Sequence, residues 1–205
     1  GLEILQSREF FEGFISRRDI LAPLMATKSW DLSTNTIIYD PEVYNSQTGE
    51  WLREAKPPRV AEPSVQEAHE AFTKLLSVSQ EKDTGFVTLA IEHQSPYVAQ
   101  QWVTWLVKDI NEVVKRQDVE QAERSIAYLN DQIRSTSLAE LQSGFFDLIQ
   151  AQLETMMLAK ATPEYLFKTI DRAVVPELKI KPKRSLIAAL GVVLGGMLGV
   201  MIVLI

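Results

Sequence analysis

The sequence contains no cysteine and only two histidines among its 205 residues. The absence of cysteine excludes a disulfide framework, a thiolate nucleophile and any metal site with cysteine ligands. His69 lies in an acidic helical segment and His93 follows a strand-like segment, so both are interpreted as structural residues, with His69 exposed. Neither histidine belongs to a spacing that is typical of metal ligands. We therefore expect no metal ion and no cofactor.

Glycine-rich phosphate loops and serine nucleophile elbows are also absent. The acidic residues stand mostly on the polar sides of predicted helices, so no pair of them indicates a general acid and base. The net charge is −6 and no basic patch is interleaved with aromatic residues, which argues against nucleic acid as a partner. We expect a protein without a catalytic site. A membrane-anchored hydrolase using His93 is the least favoured alternative.

Charged residues are missing from positions 185–205, where 20 apolar or small residues follow Ser185 without interruption. As a helix this run would be roughly 30 Å long, which matches the hydrocarbon core of a bilayer. We predict a C-terminal transmembrane helix over 185–205. Gly191, Gly195 and Gly199 lie four residues apart, a spacing that favours close packing of membrane helices. The alternative is that glycine is simply frequent in such helices.

The first 63 residues are predicted to form two short helices, a strand and a loop. Ser7 precedes phenylalanines at helical spacing, and Ser16 with Asp19 opens a second helix. β-Branched and aromatic residues favour a strand over 34–39. Residues 40–63 are rich in proline, asparagine and glycine, and are predicted to contain no regular element.

Three further signals define the middle of the chain. Ser64 opens a capping box for a helix that runs to about residue 78. Residues 86–91 show the clearest strand pattern, with Gly85 as the turn residue before them. Ser95 then caps another helix, which has proline at its first position.

Residues 96–161 are predicted to form an antiparallel helical hairpin. The stretch is too long for one helix of a compact domain, and 135–137 is a suitable reversal. Apolar residues recur at intervals of three and four, as in packed helix pairs. The predicted contact residues are Val119, Ala122, Ile126, Leu129 and Ile133 in the first arm, and Leu138, Leu141, Phe145, Leu148, Leu153 and Met156 in the second. The arms would extend ~40 Å or more from a base.

A segment of prolines and basic residues precedes the apolar run. Its characteristic residues are Asp171, Ala173, Pro176, Pro182, Lys183 and Arg184. This arrangement resembles the signature of Wzz-type chain length determinants, the polysaccharide co-polymerases of Gram-negative bacteria. Lys179 stands where that family often has a proline. Segments 7–10, 84–91 and 156–159 are also similar to that family, so the resemblance covers nearly the whole chain.

The resemblance implies an α+β fold in three parts. A membrane-proximal α/β base with a small mixed sheet would comprise 1–95 and 162–184, the protruding antiparallel hairpin 96–161, and the transmembrane helix 185–205. Sequence before residue 1, with a first membrane helix, and sequence after residue 205 are expected to be missing. Basic residues beside an apolar run normally mark the cytoplasmic side. The resemblance instead places the soluble domain in the periplasm, at the bacterial inner membrane.

The resemblance also implies a function. The chain would be a non-enzymatic regulator of the length of O-antigen or a related surface polysaccharide, acting as a ring-shaped homo-oligomer on an inner-membrane polymerase. Membrane lipid is a further expected partner, and whether the glycan is contacted directly is left open. The alternative is a membrane adaptor of polysaccharide export that is linked to a tyrosine kinase. Which polysaccharide is made and how many subunits assemble do not follow from the sequence.

Overall fold

The computed structural model of the protein describes residues 2–136, 138–176, 188–195 and 197. The chain divides into two compact units, Gly1–Val174 and Val175–Ile205. The described helices of the first unit are α1 (Leu2–Leu5), α2 (Arg8–Arg18), α3 (Leu21–Met25), α4 (Val65–Leu75), α5 (Pro96–Ser135) and α6 (Ala139–Ala161). Its described strands are β1 (Thr27–Asp31), β2 (Thr36–Tyr39), β3 (Tyr44–Asn45), β4 (Glu50–Trp51), β5 (Leu76–Gln80) and β6 (Val87–Ile91). In the second unit, residues 188–195 and 197 are helical.

Three serines cap helices α2, α4 and α5, as predicted. Ser7 accepts a hydrogen bond from the N–H of Phe10 at the start of α2, and Ser95 accepts one in the first turn of α5. Ser64 and Glu67 form both bonds of the capping box of α4. Each cap satisfies a first-turn N–H group that has no partner within the helix.

Three predictions for the first 80 residues are wrong. Ser16 opens no helix because it lies inside α2, which instead ends at Asp19 in a left-handed conformation. The segment 40–63 is not free of regular structure, since β3 and β4 pair within it. Helix α4 ends at Leu75, three residues before the predicted end, and the chain continues directly as β5.

Aromatic side chains from α2, α4 and α5 form the main core. Phe72 of α4 contacts Phe11 and Phe14 of α2, with ring centroids 5.0 and 5.7 Å apart, and it stacks on Trp102 of α5 at 5.7 Å. All four rings are buried, so each contributes a large apolar area together with favourable ring geometry. The first part of α5 is therefore fixed in the core, and its remaining turns continue into the hairpin.

The strands of the described residues form three separate two-stranded antiparallel sheets, β1–β2, β3–β4 and β5–β6. The prediction of one small mixed sheet is therefore wrong. The predicted strands over 34–39 and 86–91 are present as β2 and β6, but each pairs with a polar neighbour that was not predicted. Short turns join the two strands of each pair, and such connections produce antiparallel rather than parallel pairing.

Helices α5 and α6 form the predicted antiparallel hairpin. They are joined through residues 136–138, at the predicted reversal, and residue 137 lies outside the described residues. Gln142 closes the turn, because its Nε2 donates to the backbone oxygens of Thr136 at 2.7 Å and Ile133 at 3.4 Å. At ~1.5 Å per residue, α5 extends about 60 Å and α6 about 35 Å. The predicted boundaries between base and hairpin stay a prediction.

The predicted C-terminal transmembrane helix requires correction. Among the residues that the structure describes, no helix combines the length and the apolar character needed to cross a membrane. The described helical run 188–195 would extend about 12 Å, against about 30 Å for a hydrocarbon core. The longer helices α5 and α6 carry charged side chains along their length. The remaining residues of the predicted span lie outside the described part. The described fold is thus helix-rich with small sheets.

Candidate interaction surface on the helical hairpin

One face of α6 packs on α5. The shielded residues of α6 recur at alternating intervals of three and four, at Gln142, Phe145, Ile149, Gln152, Met156 and Ala159. This is the heptad pattern of two helices that pack side by side. All five contact residues predicted on α5 are buried or partly buried, so that half of the contact prediction is confirmed.

The contact prediction is only partly right for α6. Phe145 and Met156 lie in the packed face, but the other four predicted residues are exposed, namely Leu138, Leu141, Leu148 and Leu153. Two glutamines take part in the packed face instead. Apolar residues occur on several sides of α6, so periodicity alone does not select the side that faces α5. Helix α6 therefore carries more apolar surface than α5 covers.

Three exposed apolar side chains line up on one flank of α6. Phe146, Leu153 and Met157 leave 56%, 40% and 67% of their surface exposed. Their spacing of seven and four residues places them on one side of the helix, roughly 90° around the axis from the packed face. We call these three residues the ridge. Exposed apolar side chains grouped on one flank of a helix are typical of interaction surfaces.

The opposite flank of the hairpin carries a shallow groove of about 430 Å³. The hairpin groove is lined by Gln121, Arg124, Ser125, Tyr128 and Leu129 of α5 and by Leu148 and Gln152 of α6. Tyr128 and Leu148 are exposed, whereas Leu129 is buried in the helix contact. Leu148 lies roughly 60° from the packed face in the direction away from the ridge. The two apolar surfaces are therefore on different sides of the hairpin.

A third feature is the segment that returns along α5 after α6 ends. Asn111 is 97% buried (3% exposed) and fully hydrogen-bonded. Its Oδ1 accepts from the N–H groups of Leu166 at 2.7 Å and Phe167 at 2.9 Å. Its Nδ2 donates to the oxygens of Phe167 at 3.1 Å and Val107 at 3.0 Å. One side chain thus supplies the backbone partners that a strand neighbour would supply. No pattern in the sequence indicates this role for Asn111.

Two further bonds hold the same segment. The Tyr165 hydroxyl donates to Asp118 Oδ2 at 2.9 Å, and this bond raises the pKa of the tyrosine. Gln100 Nε2 donates to the backbone oxygen of Ala173 at 2.9 Å. We call residues 162–174 the return segment. Its bonds to α5 fix the position of the chain as far as Ala173, which already belongs to the predicted proline-basic motif.

The structure describes only part of that motif. Asp171 is exposed, Ala173 is partly buried in the return segment, and Pro176 of the second unit is exposed. Pro182, Lys183, Arg184 and Gly199 lie outside the described residues. Gly191 and Gly195 are helical, and among the described residues no further atom lies within 4 Å of a Cβ placed on either. The roles assigned to the motif and to the glycines stay predictions.

Both histidines take part in packing. His69 is partly buried rather than exposed, with its ring 5.3 Å from that of Phe11, so the prediction of an exposed residue is wrong. His93 Nδ1 accepts from the N–H of Ser95 at 3.0 Å, and Nε2 lies 3.1 Å from the backbone oxygen of Pro23. These partners assign the neutral tautomer with its proton on Nε2. Burial lowers the pKa of His93, which favours that neutral form.

Two ionic clusters lie in the first unit, and one of them includes a residue of the hairpin helix α5. Asp109 of α5 is buried and accepts hydrogen bonds from Arg17 and Arg18 of α2. Glu67 of α4 receives a bidentate pair from Arg53 at 2.8 and 2.9 Å. The Arg53 bond, with a backbone bond from Ser64, lowers the pKa of Glu67 from 4.5 to about 2. Both clusters join separate chain segments.

Within the described ranges, no group of three or more acidic or histidine side chains is arranged to hold a metal ion. The ionic clusters are closed by arginine, which donates hydrogen bonds and ligates no metal. The features of this unit that could have a function are therefore the apolar ridge, the hairpin groove and the return segment that is hydrogen-bonded to α5.

Residues 145–205 match the GNVR family model, described as a G-rich domain on putative tyrosine kinase. The C-terminal part of the chain is thus similar to GNVR domains. Such domains are found in polysaccharide co-polymerase family proteins, so the match is consistent with the predicted resemblance to Wzz-type chain length determinants. The matched region covers less than a third of the chain and includes the ridge and the return segment. No curated protein matches the chain.

GNVR is a non-catalytic regulatory or adaptor domain, and it points to co-polymerase proteins that oligomerise. The family is associated with the inner membrane and the periplasm. The GNVR domain indicates a part in polysaccharide chain length or in export linked to a tyrosine kinase.

Proposed function

We propose that this chain is a non-enzymatic scaffold that sets the length of a bacterial surface polysaccharide, such as O-antigen. It would work as a homo-oligomeric ring on an inner-membrane polymerase, with the unit Gly1–Val174 in the periplasm. The observation that carries the proposal is the GNVR match over 145–205, a region found in oligomeric co-polymerase proteins. In the described unit, the hairpin surface is the feature suited to this role.

The physical argument starts from the hairpin. Helix α6 exposes the ridge and the groove residue Leu148, although such apolar surface is normally buried against a partner. A rigid hairpin that is fixed at its base by the core of Phe72 and Trp102 can present this surface in a defined direction. A scaffold needs such fixed contact surfaces, whereas a catalyst needs groups that touch reacting atoms.

Two further contacts belong to the proposal as expectations from the sequence. Lys183 and Arg184 are proposed to bind anionic lipid headgroups, because clustered basic residues are attracted to anionic leaflets. The second proposed contact is between the chain and the growing glycan. Both are secondary to the action on the polymerase, and neither is needed for the test below.

The test is deletion of the gene followed by electrophoresis of the surface polysaccharide. The expected result is a changed or broadened length distribution with polymer still present, restored by the intact gene. Controls are the deletion strain that carries the plasmid without the gene and a measurement of total polysaccharide. An unchanged length distribution after deletion contradicts the proposal.

A second candidate function is an adaptor of polysaccharide export that is coupled to a tyrosine kinase. The description of the matched domain, which places it on putative tyrosine kinases, favours this alternative. The same deletion distinguishes the two functions. Loss of exported polymer, together with altered tyrosine phosphorylation in the cell, supports the adaptor, whereas a shift in length at constant amount supports the length regulator.

A further inference from the structure

The ridge and the hairpin groove lie on opposite flanks of one hairpin but at the same level along it. The ridge spans Phe146 to Met157 of α6, and the groove includes Leu148 and Gln152 of that helix. One copy of the chain therefore carries an apolar projection on one side and, on the other, a depression in which Tyr128 and Leu148 are the exposed apolar side chains.

The charges around the two surfaces are complementary. The charged side chains of α6 between Ala139 and Met157 are all acidic, at Glu140, Asp147 and Glu154. The one charged residue among those lining the described groove is Arg124. Its ion pair with Glu120 is long, at 3.8 Å, and both side chains are largely exposed, so it contributes little and is easily exchanged. Glu154, which follows Leu153 of the ridge and accepts a hydrogen bond from Gln150, is thus a suitable partner for Arg124 of a neighbouring copy.

We propose that the ridge of one copy of the chain docks in the hairpin groove of the next copy. This inference rests on the homo-oligomer of the proposed function and assigns the surfaces that form it. The contact joins two different surfaces, so it is heterologous rather than two-fold symmetric. Because ridge and groove lie at the same level along α6, neighbouring hairpins need little displacement along their axes, which is the condition for a closed ring instead of a filament.

The absence of cysteine makes a disulfide test direct. Ser125→Cys places a thiol in the groove, and Gln150→Cys places one beside the ridge while keeping its three apolar residues. The variants are made in the chain expressed in full in its own host and are oxidised in intact cells. Covalent dimers are expected when the two variants are co-expressed and not when either is expressed alone. A single chain carrying both changes is expected to yield a ladder beyond the dimer.

Two additions test the chemistry of the contact. Leu153→Lys, introduced into the doubly substituted chain, is expected to abolish the ladder, while the matched control Leu32→Lys leaves it intact. Leu32 is 75% exposed and lies outside the hairpin, so both changes spare the core. Arg124→Glu is expected to reduce the cross-link between copies, and Glu154→Arg in the partner copy is expected to restore it. Circular dichroism of each variant checks that the fold is kept.

Three results would overturn the proposal. A strong dimer from Gln150→Cys alone indicates a two-fold ridge-to-ridge contact. An oligomer that forms no cross-link in any arm uses another surface, and a ladder that survives Leu153→Lys removes the ridge from the contact. None of these results alters the polysaccharide profile of the deletion strain, so the failure of this contact and the failure of the proposed function are distinguishable.

Discussion

Replacing Asn111 by alanine is expected to release the return segment from α5. Three of the four hydrogen bonds of Asn111 go to the backbone of Leu166 and Phe167, and the fourth goes to Val107 within α5. At about 1 kcal/mol for each bond, losing the three bonds lowers the free energy of unfolding by about 3 kcal/mol. The fourth bond adds little, because the oxygen of Val107 lies inside a helix and has a backbone partner there.

The assay is urea unfolding of the variant and of a matched control. Asn130→Ala is the control because Asn130 is exposed and lies in the same helix, so it changes helix propensity without touching the return segment. Hydrogen exchange supplies a local measurement, since the N–H groups of Leu166 and Phe167 are expected to lose protection in Asn111→Ala only. If both variants unfold alike and those two amides stay protected, Asn111 does not hold the segment and the reasoning is refuted.

Three further predictions concern the ionic and titrating groups. The pKa of Glu67 is lowered to about 2, so its contribution to stability is fully present above pH 4.5 and is lost as the pH falls toward 2. Glu67→Gln is expected to reduce this loss of stability in acid, as measured by melting curves. Burial lowers the pKa of His93 below 6.5, so the contribution of the neutral ring to stability is present at higher pH and is lost as the pH falls below 6.5. The melting temperature of His93→Gln is therefore expected to decline less than that of the wild type between about pH 7 and 5. An equal decline would show that His93 is not the source of the pH dependence. Asp109→Asn is expected to lower the free energy of unfolding by about 2 kcal/mol, below the 3–5 of a fully buried pair, because the Arg17 side chain is 45% exposed; denaturation in urea measures it, and a change below ~0.5 kcal/mol would show that the cluster is dispensable.

The sequence predicted the elements whose signals are local. Ser7, Ser64 and Ser95 cap helices through bonds to residues three positions away, so a short stretch of sequence contains the whole interaction. The strand over 86–91 and the two arms of the hairpin followed from apolar periodicity in the same way. For these elements the local sequence is sufficient for a correct prediction.

Elements whose form depends on a partner outside their own segment were not predicted. Strands β1 and β5 are largely polar, and they are strands because β2 and β6 lie beside them. The side of α6 that meets α5 was misassigned at Leu148 and Leu153, since apolar residues surround much of that helix. The clamp at Asn111 joins residues more than fifty positions apart, and an isolated asparagine gives no sign of such a role. The ridge was visible in the sequence only as surplus hydrophobicity.

The packed face of α6 has a consequence for how arm length can vary between homologues. Its inward residues from Gln142 to Ala159 follow steps of three and four, so inserting seven residues in each arm preserves the side that faces inward. Each such insertion lengthens the hairpin by about 10 Å, whereas a single added residue turns everything beyond it by about 100°. The length of the hairpin can therefore change in steps of seven residues per arm while the outward side chains keep their orientation toward their neighbours.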